Sequence, residues 1–392
     1  MKICHITPAY HPAFYYGGPS YSVHALCRQL ARMGNQVRVL TTNANGPKSD
    51  LDVDTDRELN LEPGLTVRYC RQTVREKLSL RLVARVRHYV AWADVVHVTS
   101  VYSSPTIAAL AACSLFGKPA VWSPRGSLQR WQNTTRPGIK EVWERVCRML
   151  APRRVALHLT SLDEEQQSLA RMPGMPGVTI PNGVDFPELA GGQMLGEARR
   201  SPLGLLFVGR IHPIKGIDNL LRGCRLLGPE RAWRLRLAGT GDAGYRDSLV
   251  ALARDLGIAE RVEFLGHVDG DRKRDAYLDA DVVVVPSHSE NFSMTVIEAL
   301  SHGRPVIASR GTPWAAVSEK GCGWWVENGP ESLAGALSEA FDAPLHVMGL
   351  AGREWMRADY GWSSIARRMM ELYQTLQKRA SATLSPEVAR QS

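Results

Sequence analysis

The chain reads as an α/β protein built from two doubly wound units, each a parallel sheet with helices on both faces. Three observations point there. Apolar runs of four to six residues alternate with segments of helical periodicity along almost the whole length. Several of those runs are apolar throughout, as strands covered on both faces require, and Val282–Val285 is the plainest case. With 392 residues the chain is long enough for two cores.

In the first half the expected elements are Lys2–Thr7, Ser20–Met33, Gln36–Thr41, Leu78–Trp92, Asp94–Thr99, Pro105–Phe116, Pro119–Ser123, Ile139–Leu150 and Val155–Thr160. The second half repeats the rhythm over Leu203–Val208, Ile217–Leu227, Arg234–Ala238, Tyr245–Leu256, Arg261–Leu265, Asp271–Leu278, Asp281–Val285, Ser293–Ser301 and Pro305–Ser309. Between Pro181 and Arg200 the periodicity fades into Gly, Pro and polar residues, which marks the joint. Two such units are expected to leave a cleft between them, a frequent place for ligands. A last helix near Trp362–Lys378 carries apolar residues at 362, 365, 366, 369, 372, 373 and 376, one stripe of an amphipathic helix. The polar tail beyond Arg379 is expected to be disordered.

Seven scattered cysteines, none in a C-x-x-C pair, argue against a disulfide framework or a zinc site and for a reducing compartment. Met1–Thr7 reads as one strand closed by Pro8, and Thr106–Phe116 is too short to span a bilayer, so a cytoplasmic location is expected. The net charge of +9 is uneven. Residues 1–180 hold 23 Lys/Arg against 13 Asp/Glu, whereas residues 181–392 hold 25 against 26. A basic first half suggests an anionic partner, a membrane surface or phosphorylated acceptor. No nucleic-acid-binding motif accompanies it. The helix near Leu78–Trp92 is the expected membrane contact, with Leu78, Leu82, Val86, Tyr89 and Val90 on one face and Arg75, Lys77, Arg81, Arg85, Arg87 and His88 around it.

The chemistry concentrates in Asp281–Ser309. Glu290 falls where a strand hands over to a helix, and Glu298 lies inside that helix among Val296, Ile297, Ala299 and Leu300. A carboxylate in such company needs a partner. Val208-Gly-Arg210-Ile-His-Pro-Ile-Lys215-Gly216 makes a second strand-to-helix turn, whose Arg and Lys can point at one anion. Gly17-Gly18-Pro19 precedes a helix and suits a phosphate or a mere turn. Gly239-x-Gly241-x-x-Gly244 matches a dinucleotide fingerprint, but after the second strand of its unit rather than the first.

The Glu290-x7-Glu298 segment with its Gly303-x-Pro305 ending, together with Gly209-Arg210…Lys215-Gly216 and Pro181-Asn-Gly-Val-Asp185, resembles retaining glycosyltransferases of family 4, bacterial surface-polysaccharide type. That resemblance covers the chain to about residue 378 and implies a GT-B fold: two Rossmann-like domains facing a central cleft, 1–182 and 183–360, a helix over 361–380 returning to the first domain, and a disordered tail, 381–392. It implies a nucleotide-diphosphate sugar donor, a saccharide or lipid-linked acceptor at the inner face of the cytoplasmic membrane, and no metal or other cofactor. In roles, it implies Arg210 and Lys215 on the donor diphosphate and Glu290 on the sugar hydroxyls, with Glu298 on the ribose. Gly17, Gly18, Arg125, Gly239, Gly241, Asn291, Phe292, Ser293, Met294 and Thr295 would line the donor. The Pro124-Arg125-Gly126 and Gly311-Thr-Pro-Trp314 elements also occur in such relatives, with Trp314 either core or sugar platform. Many relatives carry His-x-His where this chain has His97-Val-Thr99, so a role for His97 is open and a core histidine is the alternative. A sugar-nucleotide epimerase and a non-catalytic sugar-nucleotide-binding protein remain the competing functions.

Overall fold

The computed structural model describes residues 1–46, 49–74, 78–129, 137–188 and 201–381. The chain divides into two compact units, Met1–Gly183 with the segment from Trp362 onward, and Val184–Gly361.

In the first unit the strands are β1 (Lys2–Ile6), β2 (Gln36–Thr42), β3 (Glu58–Glu62), β4 (Leu65–Cys70), β5 (Val95–Thr99), β6 (Ala120–Ser123), β7 (Val155–Leu159) and β8 (Gly177–Thr179). They form one sheet in the order β3-β4-β2-β1-β5-β6-β7-β8, parallel except for the β3–β4 pair. Its helices are α1 (Gly18–Arg32), α2 (Leu80–Trp92), α3 (Ser104–Leu115), α4 (Pro137–Leu150) and α5 (Leu162–Arg171). The expected alternation did not include β3, β4, α5 or β8. β3 is a short, charged edge strand, Glu58-Leu-Asn-Leu-Glu62, without an apolar run to announce it.

The second unit has β9 (Leu203–Val208), β10 (Trp233–Ala238), β11 (Val262–Gly266), β12 (Val282–Val285), β13 (Val306–Ser309) and β14 (Gly323–Val326). Its helices are α6 (Ile217–Leu226), α7 (Ala243–Asp255), α8 (Gly270–Leu278), α9 (Met294–Ser301), α10 (Ala316–Glu319), α11 (Pro330–Ala340) and α12 (Leu345–Asp359). The sheet order is β11-β10-β9-β12-β13-β14, all parallel, so the third, second, first, fourth, fifth and sixth strands run side by side. That order reverses between β9 and β12. There α6 leaves to one face, burying Ile217, Leu220 and Leu221, and α9 to the other, burying Val296, Ile297 and Leu300. Neighbouring strands whose helices diverge open a crevice at their carboxyl ends.

The last helix, α13 (Trp362–Ser381), buries Trp362, Ile365, Ala366, Met369, Leu372, Tyr373 and Leu376 in the first unit's core, packed with Val23, Leu26 and Leu30 of α1. This is the stripe expected from periodicity. Burying each such aliphatic side chain stabilises by about 1.5–3 kcal/mol.

One expectation needs correction. The apolar face of α2 is not free to meet a membrane: Leu82, Val86, Tyr89 and Val90 sit in the first unit's core, and Tyr89 donates to Glu58 at 2.6 Å. Its rim remains outward, with Arg81 paired to Asp56 and Arg85 exposed. Arg75 and Lys77 lie outside the described residues.

Two glycines of Gly239-x-Gly241-x-x-Gly244, the first pair, have a packing role. The strand ends of β9 and β10 run on together, with Gly209 N donating to Ala238 O and Ile211 N to Thr240 O, both at 2.9 Å. A Cβ on Gly239 would stand 1.8 Å from Gly209 O, and one on Gly241 equally close to Ile211 O. Gly244 faces only the Asp242 carboxylate, at 3.2 Å. Gly239→Ala should therefore lower unfolding stability by about 3 kcal/mol, while Gly244→Ala changes it by less than about 0.5 kcal/mol. Equal urea midpoints for both variants would contradict the packing role.

Candidate functional site

The crevice of the second unit lies between two loops, one following β9 and one following β12. The β9 loop carries Arg210 and Lys215 and ends at Gly216, whose φ of 61° and close approach to Pro286 O leave no room for a side chain. The two loops are joined where His288 N donates to Ile214 O at 2.8 Å, and Asn328 Nδ2, from the turn after β14, reaches Pro286 O at 2.6 Å. Glu290 N in turn donates to Gly311 O at 2.8 Å.

Lys215 and Glu290, singled out separately from the sequence, meet across this seam. Lys215 Nζ lies 2.5 Å from Glu290 Oε1, and Ser287 Oγ donates to the same oxygen at 2.8 Å. Both side chains are largely buried, so the pair is stronger than a surface one. Arg210, on the same turn as Lys215, is exposed and makes no ion pair among the described residues. His212 accepts from Ile214 N through Nδ1, and partial burial, then Arg210 and Lys215, hold its pKa below the usual imidazole value.

Glu290 leads into α9. Ser293 caps this helix in a left-handed conformation, φ 67°, and its buried Oγ has no hydrogen-bond partner among the described residues. Thr295 Oγ1 donates to Val208 O at 3.0 Å, fixing the first turn of α9 against the end of β9. Asn291, Met294 and Thr295 are partly exposed. Phe292 is not: its ring packs in the core against Trp314, 5.2 Å between centroids, and its carbonyl accepts from Trp314 Nε1. Only the Phe292 backbone can therefore serve a ligand, and Trp314 is core rather than platform. Glu298 has the partners its apolar setting demands, Lys273 Nζ at 2.6 Å and Tyr277 OH at 2.8 Å. Burial, and then the Glu298 carboxylate, push the Tyr277 phenol well above its ordinary pKa, so it remains a donor.

The first unit has its own switch point between β1 and β5, with α1 and α3 on opposite faces. Gly17, at φ 66°, introduces α1, whose first residue is Gly18; a Cβ on Gly17 would meet nothing within 4 Å. Unlike Gly239, it faces open space. Arg125 follows β6 with φ 54°, donates to Asn182 Oδ1 at 2.5 Å and leaves Nε buried without a hydrogen-bond partner among the described residues. Glu164 lies beside it, accepting from Gly126 N at 2.6 Å and Thr160 N at 2.7 Å.

His97 is a core histidine with both ring nitrogens in use, Nδ1 to Tyr373 OH and Nε2 to Ser123 Oγ, each at 2.6 Å. Ser123 Oγ also meets His158 Nδ1 at 2.7 Å, and His158 Nε2 meets Ile180 O at 2.9 Å. A carbonyl can only accept, so His158 carries its proton on Nε2 and its Nδ1 accepts from Ser123. Ser123 then accepts from His97 Nε2, and Tyr373 donates to His97 Nδ1. One directed chain thus runs from α13 across β5, β6 and β7. His5 stacks on His97, 4.4 Å between centroids, and bonds Thr99 Oγ1 at 2.8 Å. His5, Ser123, His158 and Tyr373 escaped the sequence reading. Their one signal was a histidine inside each of three apolar strands, β1, β5 and β7.

These features define a class: two doubly wound units, the second with cationic and acidic side chains at its switch point, as in GT-B glycosyltransferases. The comparisons agree. Residues 16–187 match the model of Glycosyltransferase Family 4 and residues 202–343 that of Glycosyl transferases group 1. The chain is 31% identical to a D-inositol 3-phosphate glycosyltransferase of Catenulispora acidiphila, over 91% of this chain and 90% of the relative. It is 30% identical to the enzyme of that name from Kineococcus radiotolerans, over 93% and 92%. Sucrose-phosphate synthase of Thermosynechococcus elongatus shares the fold at TM-score 0.75 and 21% identity, covering 97% of this chain and all of that one. HepE of Anabaena in complex with UDP and glucose does so at 0.73 and 18%, covering 96% of this chain and all of HepE. The chain belongs to the group 1 and family 4 glycosyltransferases.

The buried imidazoles set a pH dependence. Burial pushes His5 and His158 down to about 3, and His97 well below its ordinary value; neighbouring His and Arg125 charges add to this. The unfolded chain takes up protons below about 6.5 while the folded one refuses them. Stability is therefore complete above that pH and falls as pH drops toward 3, by up to about 1.4 kcal/mol per pH unit for each histidine. Urea midpoints taken at pH 7, 6 and 5 should decline through this window; a flat profile would mean that the imidazoles are not buried neutral.

Proposed function

We propose that the protein is a retaining, metal-independent hexosyltransferase that moves a sugar from a nucleotide-diphosphate donor to a saccharide or lipid-linked acceptor in polysaccharide biosynthesis. The observation that carries this reading is the Lys215–Glu290 pair at the N-terminal end of α9, with Arg210 on the same turn. Without donor, the pair neutralises two buried charges and keeps both side chains in the crevice. With donor, Arg210, Lys215 and the α9 amides near Thr295 would take the diphosphate, leaving Glu290 to accept hydrogen bonds from sugar hydroxyls. As the anomeric C–O bond breaks, its electron pair passes to the leaving phosphate oxygen, and the preorganised cations stabilise the charge that develops. The acceptor oxygen bonds to the anomeric carbon on the same face, and its proton goes to that phosphate oxygen. Glu298, held by Lys273 and Tyr277, would take the ribose hydroxyls. Gly17 and Gly18 would leave the N-terminus of α1 open to an anionic ligand.

A second acceptor class has its own support. The full-length relatives of about 30% identity are named for D-inositol 3-phosphate, which favours a phosphorylated cyclitol as the alternative acceptor. Product analysis with UDP-glucose and other nucleotide sugars, offered inositol phosphate or membrane lipid extract, separates the two. Release of free epimerised donor without any acceptor product would overturn both.

Arg210→Ala and Lys215→Ala should each cost roughly 10²- to 10³-fold in kcat with the fold intact, whereas Glu298→Gln should chiefly raise the donor Kd. Near-wild-type turnover of either cation variant removes that residue from the mechanism. Turnover should also persist in excess EDTA, and loss that magnesium or manganese restores would refute metal independence.

A further inference from the structure

Glu290 is held by more than the lysine that neutralises it. Strand β12 ends at Val285, and Pro286-Ser-His-Ser-Glu290 carries the chain on toward α9. Ser287 is fully buried, and its Oγ donates to Glu290 Oε1 at 2.8 Å. That oxygen therefore receives two donors, since Lys215 Nζ reaches it as well. Among the described residues no hydrogen bond reaches Oε2. An ionised carboxylate only accepts, so Oε2 is the oxygen with capacity left for a hydroxyl.

The two donors are unlike in what holds them. The backbone around Ser287 is fixed at three successive residues: Pro286 O accepts from Asn328 Nδ2 at 2.6 Å, Ser287 O from Ser309 Oγ at 2.5 Å, and His288 N donates to Ile214 O at 2.8 Å. Gly311 also passes so close that a Cβ on it would stand 2.3 Å from Ser287 O. A hydroxyl one rotatable bond away from such a backbone is ordered before any ligand arrives, at small cost in side-chain entropy. Lys215 is instead a point charge on a flexible stem. In the proposed reaction it is also claimed by the donor diphosphate, at the moment when Glu290 has to accept sugar hydroxyls.

We propose that Ser287 is the positioning residue of the sugar site. Its hydroxyl keeps Glu290 Oε1 in place when Lys215 turns to the diphosphate, and Oε2 stays available to the sugar. Without that hydroxyl, a largely buried carboxylate would be left with neither partner at the step that needs it oriented. Ser287 touches no substrate atom in this arrangement and acts through Glu290. The inference rests on the assignment of Glu290 to the sugar and of Lys215 to the diphosphate.

The test is a double-mutant cycle on the full chain, run with the nucleotide sugar that turns over in the product analysis above and with its free nucleoside diphosphate. Ser287→Ala should lower kcat about ten- to a hundredfold, while the Kd of the free nucleoside diphosphate, read by calorimetry, stays within about twofold of wild type. The nucleotide affinity is kept because Arg210, Lys215 and the α9 amides are untouched. In a Glu290→Ala background the same substitution should cost less than about threefold in kcat, since the carboxylate it positions is gone. A Ser287→Ala enzyme within about threefold of wild-type kcat overturns the proposal. So does an equal loss in both backgrounds, or a rise in the nucleoside diphosphate Kd as large as the fall in kcat; either makes Ser287 a support of the loop alone. Those outcomes leave the transferase reading standing. If Glu290→Ala keeps wild-type turnover, the sugar assignment of Glu290 falls and this inference with it. If wild type transfers from no nucleotide sugar, the transferase reading itself falls, and Ser287 has no sugar to serve.

Discussion

The second unit is organised by one pairing, β9 beside β12. Because the two strands are hydrogen-bonded neighbours while α6 and α9 depart to opposite faces, their following loops must part over a crevice. Everything assigned to donor chemistry in this unit sits on those loops or just behind them. Gly216 is left-handed and bare because the first loop must pass against Pro286, and that passage brings Lys215 to Glu290. Ser293 is left-handed because the second loop must turn sharply into α9. The ion pair is thus a consequence of strand order before it is a property of either side chain.

The first unit has a further way with buried polar groups. Besides pairing opposite charges, as Arg171 and Glu144 do, it strings neutral donors and acceptors in sequence, Tyr373 to His97 to Ser123 to His158 to Ile180 O. His97, Ser123 and His158 each have one donor and one acceptor role filled, so no charge has to be buried in the chain. The chain also links α13, the last helix among the described residues, to three strands of a sheet formed from the first half. Helix packing by the Trp362–Leu376 stripe and this polar chain then specify the same placement of α13.

Helices α2 and α4 show how little an amphipathic pattern says about what covers its apolar face. Both carry such a face and basic neighbours. In α2 the face is taken up by the sheet, and Tyr89 is held by Glu58 and Arg68 of the β3–β4 edge. In α4 the inner face is satisfied by Cys147, Trp143 and the Glu144–Arg171 pair, leaving Ile139, Val142 and Met149 outside. Periodicity counts apolar residues, while burial depends on which elements arrive beside them.

By itself the sequence determined what is local. Strands such as Val282–Val285, buried on both faces, announce themselves as unbroken apolar runs, and the α13 stripe follows from helical spacing alone. The positions of Arg210, Lys215 and Glu290 at strand-to-helix handovers, and of Glu298 inside the helix that follows, were legible for the same reason, since turns and caps have short-range signatures. Tertiary structure decided what depends on distant segments meeting. Lys215 and Glu290 are 75 residues apart, and only the β9–β12 pairing joins them. Gly239 and Gly241 read as ligand glycines, and that they must also admit the β9 loop is visible only once that loop is laid against them. His97 could be weighed only once Ser123, His158 and Tyr373, up to 276 residues away, stood around it. A hydrogen bond or a close backbone approach requires three-dimensional neighbours, and a linear pattern names those only where the chain itself is short between them.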